Sequence, residues 1–380
     1  MSDPDSKPVS PGGPGRVKKR TVLMLGPSLD AVSGVSTHLN QLFASELAAG
    51  FVLTHFQVGS EGRSGDALRT IARLIASPIA LATAAWRTGA GIVHINSSLE
   101  PKAYWRDIVY LAIASLLRRK TVWQIHGGAL PREFLPRPLG TWWLRRTLSV
   151  ADAIVVLADN ELRAYRELLP HRRVVLVANA IVTQSPGSMT AVAGSRSAGG
   201  PLRLAYVGRL ARDKGVFEVV EAVRLLQDEG CTVRLTMAGT GGCETALREL
   251  VARLGLGDAV TFAGAVFGEE KFRLWSSADI FAFPTYHREG LPYALLEAMI
   301  AGAVPVTCRV GAIADVITDH EHGVFVPPKD PQALAAAIAQ LARDRKKLAA
   351  MSEDAQRRVR EQYTVARMAR EIAAVYDDLG

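Results

Sequence analysis

The chain has 380 residues, of which 48% are hydrophobic and 22% charged, a composition typical of a soluble globular protein with two domains of ordinary size. Its three cysteines, Cys231, Cys243 and Cys308, are far apart and form no CxxC pair. This spacing excludes a disulfide framework and predicts a reducing, cytoplasmic compartment. Residues 1–20 lack the apolar segment of a signal peptide and are predicted to form a disordered leader.

The net charge of +8 is unevenly distributed along the chain. Residues 1–200 carry 23 Lys and Arg against 13 Asp and Glu, whereas residues 201–380 carry 22 against 24. A basic first half indicates an anionic partner such as a phosphorylated ligand, an anionic membrane surface or a nucleic acid, although a generally basic proteome would give the same charge. Nucleic acid is disfavoured because no nucleic-acid-binding module is present and aromatic residues do not alternate with the basic ones.

The first predicted domain covers residues 21–182. Short apolar runs alternate with longer periodic segments, which is the pattern of parallel βαβ units. A helix is predicted from near Val35 to Gly50. Strands are predicted at residues 20–25, 91–96, 121–126, 153–158 and 173–179.

Two long apolar runs in this domain, residues 74–86 and 108–117, are shorter than the roughly 20 residues that a membrane-spanning helix needs. We predict that they are core helices. Their basic flanks leave docking on a membrane surface open as the alternative. The flanking residues are Arg69, Arg73, Arg87, Arg118, Arg119 and Lys120.

A linker and a second domain follow. Residues 183–200 are rich in Ser, Gly, Ala and Thr and lack a clear period, which predicts a linker. Residues 201–361 repeat the alternation of strands and helices, and a last helix is predicted at about residues 365–379. The chain is therefore predicted to be an α/β protein with two Rossmann-like, doubly wound domains, whose ligand site is the cleft between the C-terminal edges of their sheets.

Candidate residues in the first domain lie where predicted strands end. Gly34 lies between the first strand and its helix, where a glycine lets the backbone approach an anion bound at the helix start. His126 ends the strand in "WQIHGG" and is placed to face the cleft; His94 is a weaker candidate of the same kind. In each case a purely structural role is the alternative. No P-loop, GxGxxG or GxSxG motif and no cluster with metal-ligand spacing is present, so neither a cofactor nor a metal is expected.

The second domain offers cations and carboxylates. Arg209 and Lys214 in "YVGRLARDKG" can converge on one diphosphate if the loop curls into the cleft. In "REGLPYALLEA", Glu289 precedes a predicted helix start and Glu297 lies in that helix, about 12 Å further on at 1.5 Å per residue. That separation argues against a directly coupled acid/base pair. Backbone N–H groups near Gly290 and Leu291 would be placed to hold a phosphate, whereas a structural ion pair is the alternative for Glu297.

These segments together resemble the family-4 retaining glycosyltransferases, which have the GT-B fold. The Glu-x7-Glu pattern from Glu289 to Glu297 is the mark of that family. The resemblance runs from about Thr21 to the C-terminus and is strongest after Pro201. It is carried by "SGVSTHLNQL", "QIHGG", "VANAI", "YVGRLARDKG", "LTMAGTGG", "VTFAGAV" and "REGLPYALLEAMIAGAVPVTCRVGAIADVI".

The resemblance implies a role for each matching residue of the second domain. Arg209 and Lys214 would bind the donor diphosphate and stabilise it as it leaves. Glu289 would contact the hydroxyls of the donor sugar, and Glu297 those of the ribose. The backbone of residues 290–291 would hold phosphate.

The resemblance also implies roles elsewhere in the chain. Val266 would line the nucleotide base, Gly34 would lie beside the diphosphate across the cleft, and His126 would lie near the sugar. The end of the chain, residues 362–380, would cross back to pack on the first domain. The family needs no metal.

The implied reaction is a sugar transfer with retained anomeric configuration, by substitution on one face of the sugar, in which the leaving phosphate accepts the acceptor's proton. The donor would be a nucleoside-diphosphate sugar. The acceptor would be a glycan or a lipid-linked glycan in cell-surface polysaccharide assembly, with peripheral docking at the inner face of the plasma membrane. A GT-B sugar-nucleotide epimerase and an inactive sugar-nucleotide-binding protein are the alternatives. The first would need an acid/base set that we do not find, and intact Lys214 and Glu289 argue against the second.

The sequence departs from the family at four places. The usual Gly-Gly of the first loop is Ser33-Gly34, and the usual Asn-Gly is Asn179-Ala180. A common Gly-Gly is Gly311-Ala312, and the Glu that often follows is Asp315. None of these changes removes the charged residues named above, so activity is expected.

Overall fold

The computed structural model describes residues 19–59, 67–182 and 200–380. The predicted leader (1–20) and linker (183–200) lie outside the described residues, apart from residues 19, 20 and 200. What is described forms two Rossmann-like α/β halves, each built on a six-stranded parallel sheet. The two-domain α/β prediction is therefore confirmed.

The first sheet has the strand order β2-β1-β3-β4-β5-β6. Its central strands are buried on both sides, because Val22 and Met24 face one hydrophobic cluster while Leu23 and Leu25 face another. The strands are β1 Thr21–Gly26, β2 Val52–Gln57, β3 Ile92–Leu99, β4 Lys120–Gly128, β5 Ala153–Val156 and β6 Arg173–Leu176. The helices are α1 Gly34–Phe43, α2 Leu47–Gly50, α3 Ala67–Arg87, α4 Pro101–Leu116, α5 Pro131–Phe134, α6 Pro138–Leu148 and α7 Asp159–Leu168.

The second sheet has the order β12-β11-β10-β7-β8-β9 and a single large core. Its strands are β7 Leu202–Val207, β8 Val233–Ala238, β9 Val260–Gly264, β10 Ile280–Phe283, β11 Val304–Thr307 and β12 Val324–Phe325. The helices are α8 Val216–Asp228, α9 Glu244–Arg253, α10 Gly268–Ser277, α11 Tyr293–Ala301, α12 Ile313–Val316, α13 Pro331–Arg343, α14 Arg345–Gln362 and α15 Val365–Asp377. A 3-10 turn, Arg212–Lys214, precedes α8.

Two strands and one helix show most clearly where the structure differs from the sequence-based expectation. Strands β2 and β12 were not predicted. The first lies at a sheet edge and is only partly buried, so it lacks an apolar run, and the second has two residues. The single helix expected from Val35 to Gly50 is two helices, because the chain turns at residues 44–46 between α1 and α2.

The last helix, α15, packs on the first half of the chain. Met368, Ile372 and Tyr376 are fully buried in the same cluster as Val22 and Met24 of β1. The Tyr376 hydroxyl lies 2.6 Å from Nδ1 of His94 in β3. Burial of this helix therefore ties the end of the chain to the first sheet.

The apolar runs predicted as core helices lie in α3 and α4. Both helices bury one side, with Leu81 and Ala85 of α3 and Tyr110 and Leu111 of α4 almost inaccessible to solvent. Their opposite sides are exposed and still apolar. Within the described part of the chain, no helix is both long enough and apolar enough to cross a bilayer.

Candidate functional site

The C-terminal edges of the two parallel sheets meet at a cleft. Gly127, near the end of β4, forms an isolated antiparallel bridge with Glu289, in the loop before α11. The approach is close enough that a Cβ atom added to Gly290 would lie 2.8 Å from the carbonyl oxygen of His126. Glycine at this position therefore permits direct backbone contact between the halves beside the predicted site residues.

Lys214 and Glu289 form an ion pair in this cleft. Nζ of Lys214 lies 2.6 Å from Oε1 of Glu289, and each side chain is only 12% exposed. Thr285 donates a hydrogen bond to the same oxygen at 3.1 Å. The other oxygen, Oε2, accepts no hydrogen bond from the residues that the structure describes, so Glu289 retains a free acceptor.

The backbone fixes Lys214 against the loop that carries Glu289. Gly215, which follows the lysine, has φ +74°, and an added Cβ would lie 2.4 Å from the carbonyl oxygen of Pro284. The Asp213 carbonyl accepts hydrogen bonds from the N–H groups of Tyr286 and His287. A side chain at position 215 would separate these loops, which is the physical reason for the glycine.

Arg209 lies in the same loop as Lys214 but is exposed. Its carbonyl accepts a hydrogen bond of 2.8 Å from the buried Tyr206 hydroxyl, which holds the backbone in place. The guanidinium makes no ion pair with any residue in the described ranges. It is therefore an uncompensated cation on the loop that also carries Lys214.

Glu297 has its own cationic partner. Lys271 of α10 lies within 2.6 Å of Oε2 and donates to Oε1 at 2.8 Å, and the indole of Trp275 donates to Oε2 at 3.2 Å. The two carboxylates of the Glu-x7-Glu pattern thus contact different lysines. Lys271 and Trp275 were missed by the sequence reasoning, because α10 is remote from the motif along the chain.

The start of α11 lies between these two carboxylates. Pro292 is the N-cap and the helix begins at Tyr293. Leu291 is buried, and its carbonyl accepts a hydrogen bond of 2.8 Å from the amide of Asn179, which comes from the first half of the chain. Leu295, Leu296 and Met299 are fully buried. The helix start is therefore held rigidly at the boundary between the halves.

His126 faces the cleft from the end of β4 and is partly exposed. Its Nε2 lies 2.8 Å from Oδ1 of Asn96, and the amide nitrogen of Asn96 donates to the Leu25 carbonyl at 3.0 Å. Since Oδ1 can only accept, Nε2 of His126 carries the proton and Nδ1 has the lone pair. Asn96 was not singled out from the sequence, although a polar residue near the C-terminal end of a buried strand was the available signal.

Two further histidines lie behind His126 in the interior. His38 and His94 are fully buried, and burial lowers the pKa of His38 to about 4 and that of His94 to about 3. Burial, together with these two neighbours, holds the pKa of His126 well below its usual value. All three rings are thus neutral near pH 7. His94 contacts Tyr376 rather than the cleft, which is the structural role weighed against its candidacy.

The remaining predicted residues, Gly34 and Val266, lie in different halves of the molecule. Gly34 is the first residue of α1, whose N-cap Ser33 accepts a hydrogen bond from the Ser36 backbone. A Cβ added to Gly34 would lie 3.7 Å from the Tyr293 ring, so the starts of α1 and α11 are neighbours. Val266 is buried in the core of the second half, just beyond β9.

The loop at residues 311–315, which includes two of the departures from the family pattern, contacts both the first half and the Glu289 loop. The carboxylate of Asp315 accepts a hydrogen bond of 2.7 Å from the backbone of Asp159 at the start of α7. Gly311 approaches the backbone of Glu289 so closely that an added Cβ would lie 1.9 Å from its carbonyl oxygen. The loop at 311–315 therefore supports the Glu289 loop from behind.

Within the described ranges, no group of three or more His, Cys, Asp or Glu side chains is arranged to hold a metal ion. The charged groups among the predicted site residues are Arg209, Lys214, Glu289 and Glu297, and Lys271 completes a second lysine–glutamate pair. Such a set suits a ligand that carries both anionic phosphate and neutral hydroxyl groups.

Residues 191–358 match the family model described as "Glycosyl transferases group 1". The second half of the chain is therefore similar to the group 1 glycosyltransferases. This region includes Arg209, Lys214, Glu289 and Glu297, and it ends before α15.

A curated relative, the putative colanic acid biosynthesis glycosyltransferase WcaL of Salmonella typhimurium, is 30% identical over 186 residues. The match covers 47% of this chain and 46% of that protein. The chain thus spans about half the length of the curated relative it matches.

Solved structures resemble nearly the whole chain. Sucrose-phosphate synthase from Thermosynechococcus elongatus superposes with a TM-score of 0.76 at 19% identity, covering 95% of this chain and 99% of that one. Anabaena HepE, solved in complex with UDP-glucose, gives a TM-score of 0.70 at 17% identity, covering 94% and 99%. These neighbours confirm the predicted GT-B architecture.

Proposed function

We propose that the chain is a family-4 retaining glycosyltransferase that moves a hexosyl group from a nucleoside-diphosphate sugar to a glycan or lipid-linked acceptor. The observation that carries the proposal is the Lys214–Glu289 pair, with its 2.6 Å separation, low exposure and position where the two halves touch. A cation and a carboxylate with one free oxygen, held side by side, suit a ligand in which a phosphate adjoins a sugar.

The leaving nucleoside diphosphate develops negative charge as its bond to the sugar breaks. Lys214 is positioned to stabilise that charge, and its low exposure strengthens the interaction because water screens it less. Arg209, which has no partner of its own in the described ranges, would supply a second cation. The backbone N–H groups at residues 290–291, in the loop just before α11, would add further hydrogen-bond donors for the phosphate.

The sugar would lie between Glu289 and His126. Oε2 of Glu289 would accept a hydrogen bond from a sugar hydroxyl, and Nδ1 of the neutral His126 is free to accept another in the deduced tautomer. Glu297, held by Lys271 and Trp275, would bind the ribose hydroxyls, and Val266 would line the base. Gly34 would let the diphosphate approach the backbone at the start of α1.

Retention would follow from substitution on one face of the sugar, with the leaving phosphate accepting the acceptor's proton. The two cleft carboxylates fit this mechanism because each is paired with a different lysine. They therefore do not form the coupled acid/base pair that a glycosidase would use. The colanic acid relative supports a role in cell-surface polysaccharide assembly. A cytoplasmic location, expected from the cysteines, belongs to the same proposal.

The test is a screen of UDP-, GDP- and ADP-sugars for binding and for release of the nucleoside diphosphate, with free and lipid-linked glycan acceptors. We expect one donor to bind and to release its diphosphate when the right acceptor is present. Tight binding without turnover with any acceptor would favour an inactive binding protein. Conversion of one nucleotide sugar into its epimer without an acceptor would favour an epimerase. Absence of binding and of turnover would refute the proposal.

A further inference from the structure

Four of the six tryptophans of the chain lie on the surface of the first half. Trp86 is 77% exposed, Trp105 50%, Trp142 57% and Trp143 40%, whereas the other two, Trp123 and Trp275, are almost fully buried. Large exposed apolar side chains also include Ile79, Val109, Leu116 and Leu139. We call these eight exposed residues on α3, α4 and α6 the tryptophan face.

The three helices of the tryptophan face lie side by side. The Tyr110 hydroxyl of α4 donates to Ser77 of α3 at 2.9 Å, and the Tyr104 hydroxyl lies 2.6 Å from Thr147 of α6. The rings of Trp105 and Trp143 have centroids 6.3 Å apart. All three helices cover the hydrophobic cluster on one side of the first sheet, so their outer sides form a continuous surface.

The exposed apolar residues of helix α4 recur at helical spacing and so form a stripe along one side of the helix. Its outward stripe contains Trp105, Val109, Ala112 and Leu116, spaced four, three and four residues apart, while Tyr104, Leu111 and Ala114 face the core. A helix that is apolar on both sides usually packs against the protein core on one side and against another apolar surface on the other. Contiguous exposed apolar surface of this kind marks an interaction site.

The charge around the tryptophan face is strongly positive. Residues 67–149 contain 12 Lys and Arg but only three Asp and Glu. One of the three, Asp107, is buried and paired with Arg106. Arg145 and Arg146, exposed on α6, form no ion pair with the residues that the structure describes.

A basic pocket adjoins the face. It has a volume of about 400 Å³ and lies between the end of α6 and the loop that joins α7 to β6. Its charged lining is cationic, supplied by Arg145, Arg146 and Arg172, with Trp142 at its wall. Guanidinium groups around an open pocket suit a phosphate group presented next to an apolar phase.

We propose that the tryptophan face docks on a lipid bilayer with anionic headgroups. The indole rings would lie at the interface between headgroups and acyl chains, and the basic pocket would hold a headgroup phosphate. Charge decides between this partner and a second copy of the chain, because two copies would bring two sets of cations together. The inference is independent of the proposed glycosyl transfer, since its test measures binding to vesicles.

The docked orientation would place the cleft near the bilayer. Helix α4 begins two residues after β3 ends at the cleft edge, so Trp105 lies at the cleft end of the face. Trp86 and Leu116, near the far ends of α3 and α4, lie at the opposite edge of the sheet. A lipid-linked acceptor would therefore reach the cleft without leaving the membrane.

The test is co-flotation of the full chain with vesicles of mixed phosphatidylglycerol and phosphatidylcholine, compared with phosphatidylcholine alone. We expect binding only to the anionic vesicles. W105S/W142S should lower the partition at least about tenfold because it removes the interfacial rings. R145E/R146E should lower it more than about 25-fold, since each basic residue near an anionic surface contributes roughly fivefold.

Matched controls come from the second half of the chain. F267S changes an exposed apolar residue, 54% accessible, and R343E/K346E makes the same charge change as R145E/R146E. Both should bind like the unaltered protein, and unchanged thermal melting should show that all variants fold. The proposal would be overturned if the unaltered protein did not bind anionic vesicles. It would also be overturned if W105S/W142S and R145E/R146E both bound them as well as the unaltered protein does. Loss of self-association in W105S/W142S without vesicle binding would assign the face to a second copy instead.

Discussion

The two halves of the molecule have nearly the same architecture and opposite distributions of charge. The second half places two lysine–glutamate pairs in the cleft, Lys214–Glu289 and Lys271–Glu297. The first half presents the neutral His126 to the cleft, oriented by Asn96, and carries its excess of cations on its outer surface. One six-stranded parallel sheet can therefore support either a charged ligand site or a charged outer surface.

Under the two proposals, this difference gives the two halves separate tasks. Diphosphate stabilisation requires charges inside the cleft, whereas docking on an anionic surface requires them outside. Two side chains form hydrogen bonds across the boundary between the halves, Asp315 with the Asp159 backbone and Asn179 with the Leu291 carbonyl. These bonds help to fix the position of one half relative to the other. Variants that alter one half at a time test this division.

Removal of the cleft cation in K214A should lower kcat by about 10²- to 10³-fold, the usual cost of losing one preorganised group that stabilises developing negative charge. K346A, which alters an exposed lysine of α14, is the matched control and should keep the unaltered rate. Steady-state release of the nucleoside diphosphate measures both. A K214A rate equal to that of the unaltered protein would refute the phosphate role.

The two glutamates should respond differently to loss of charge. E289Q should lower kcat by about 10- to 100-fold, the range expected for one hydrogen bond from a charged group, because we propose that the free oxygen of Glu289 binds the reacting sugar. E297Q should mainly raise the KM for the donor, since both of its oxygens are already held by Lys271 and Trp275. Separate kcat and KM values check the split. Identical kinetic changes in the two variants would contradict it.

Acid should destabilise the first half through its buried histidines. The folded pKa values of His38 and His94, about 4 and about 3, lie below the ordinary 6.5. Unfolding therefore takes up protons below pH 6.5, and stability falls as pH drops from 6.5 toward 4, by about 2 kcal/mol for each ring between pH 7 and 5. Burial raises the pKa of Glu161 to about 7, which has the opposite sign and offsets about 2 kcal/mol over the same range.

Urea denaturation at pH 7 and pH 5 measures the net loss, which we expect to be about 2 kcal/mol. H38Q should reduce the acid sensitivity, whereas H171Q, which changes an exposed histidine, should leave it unaltered. A stability that rises on acidification in the unaltered protein would show that the histidines do not control this range.

The attachment of α15 should give the smallest effects. Y376F leaves His94 without its hydroxyl partner and should cost about 1–3 kcal/mol of unfolding free energy. D377N removes the ion pair between Asp377 and Arg20, whose side chains are 66% and 32% exposed. The loss of unfolding free energy should be less than about 1 kcal/mol because water screens the pair. Thermal melts of both variants give the ranking. A larger loss in D377N than in Y376F would mean that surface charge, rather than the buried contact, holds the helix.

Much of the fold was predictable because buried parallel strands are largely apolar runs, as in β1, β5 and β10. Strand β2 was missed because an edge strand is covered on fewer sides and needs fewer apolar residues. The cleft positions of Lys214, Glu289 and His126 were expected because each follows or ends a predicted strand. Their partners were not, since Asn96, Thr285 and Lys271 lie on other elements and carry no pattern of their own.

By itself the sequence determined the two α/β halves, the edge of the sheets where the site lies and the residue types that the cleft contains, because these follow from local periodicity and strand order. The tertiary structure decided which lysine pairs with which glutamate, which nitrogen of His126 carries the proton, and that four tryptophans lie outside. An apolar run indicates that a helix needs an apolar environment. Only the packing of α3, α4 and α6 shows that one side of each has that environment within the chain and that the other side remains exposed.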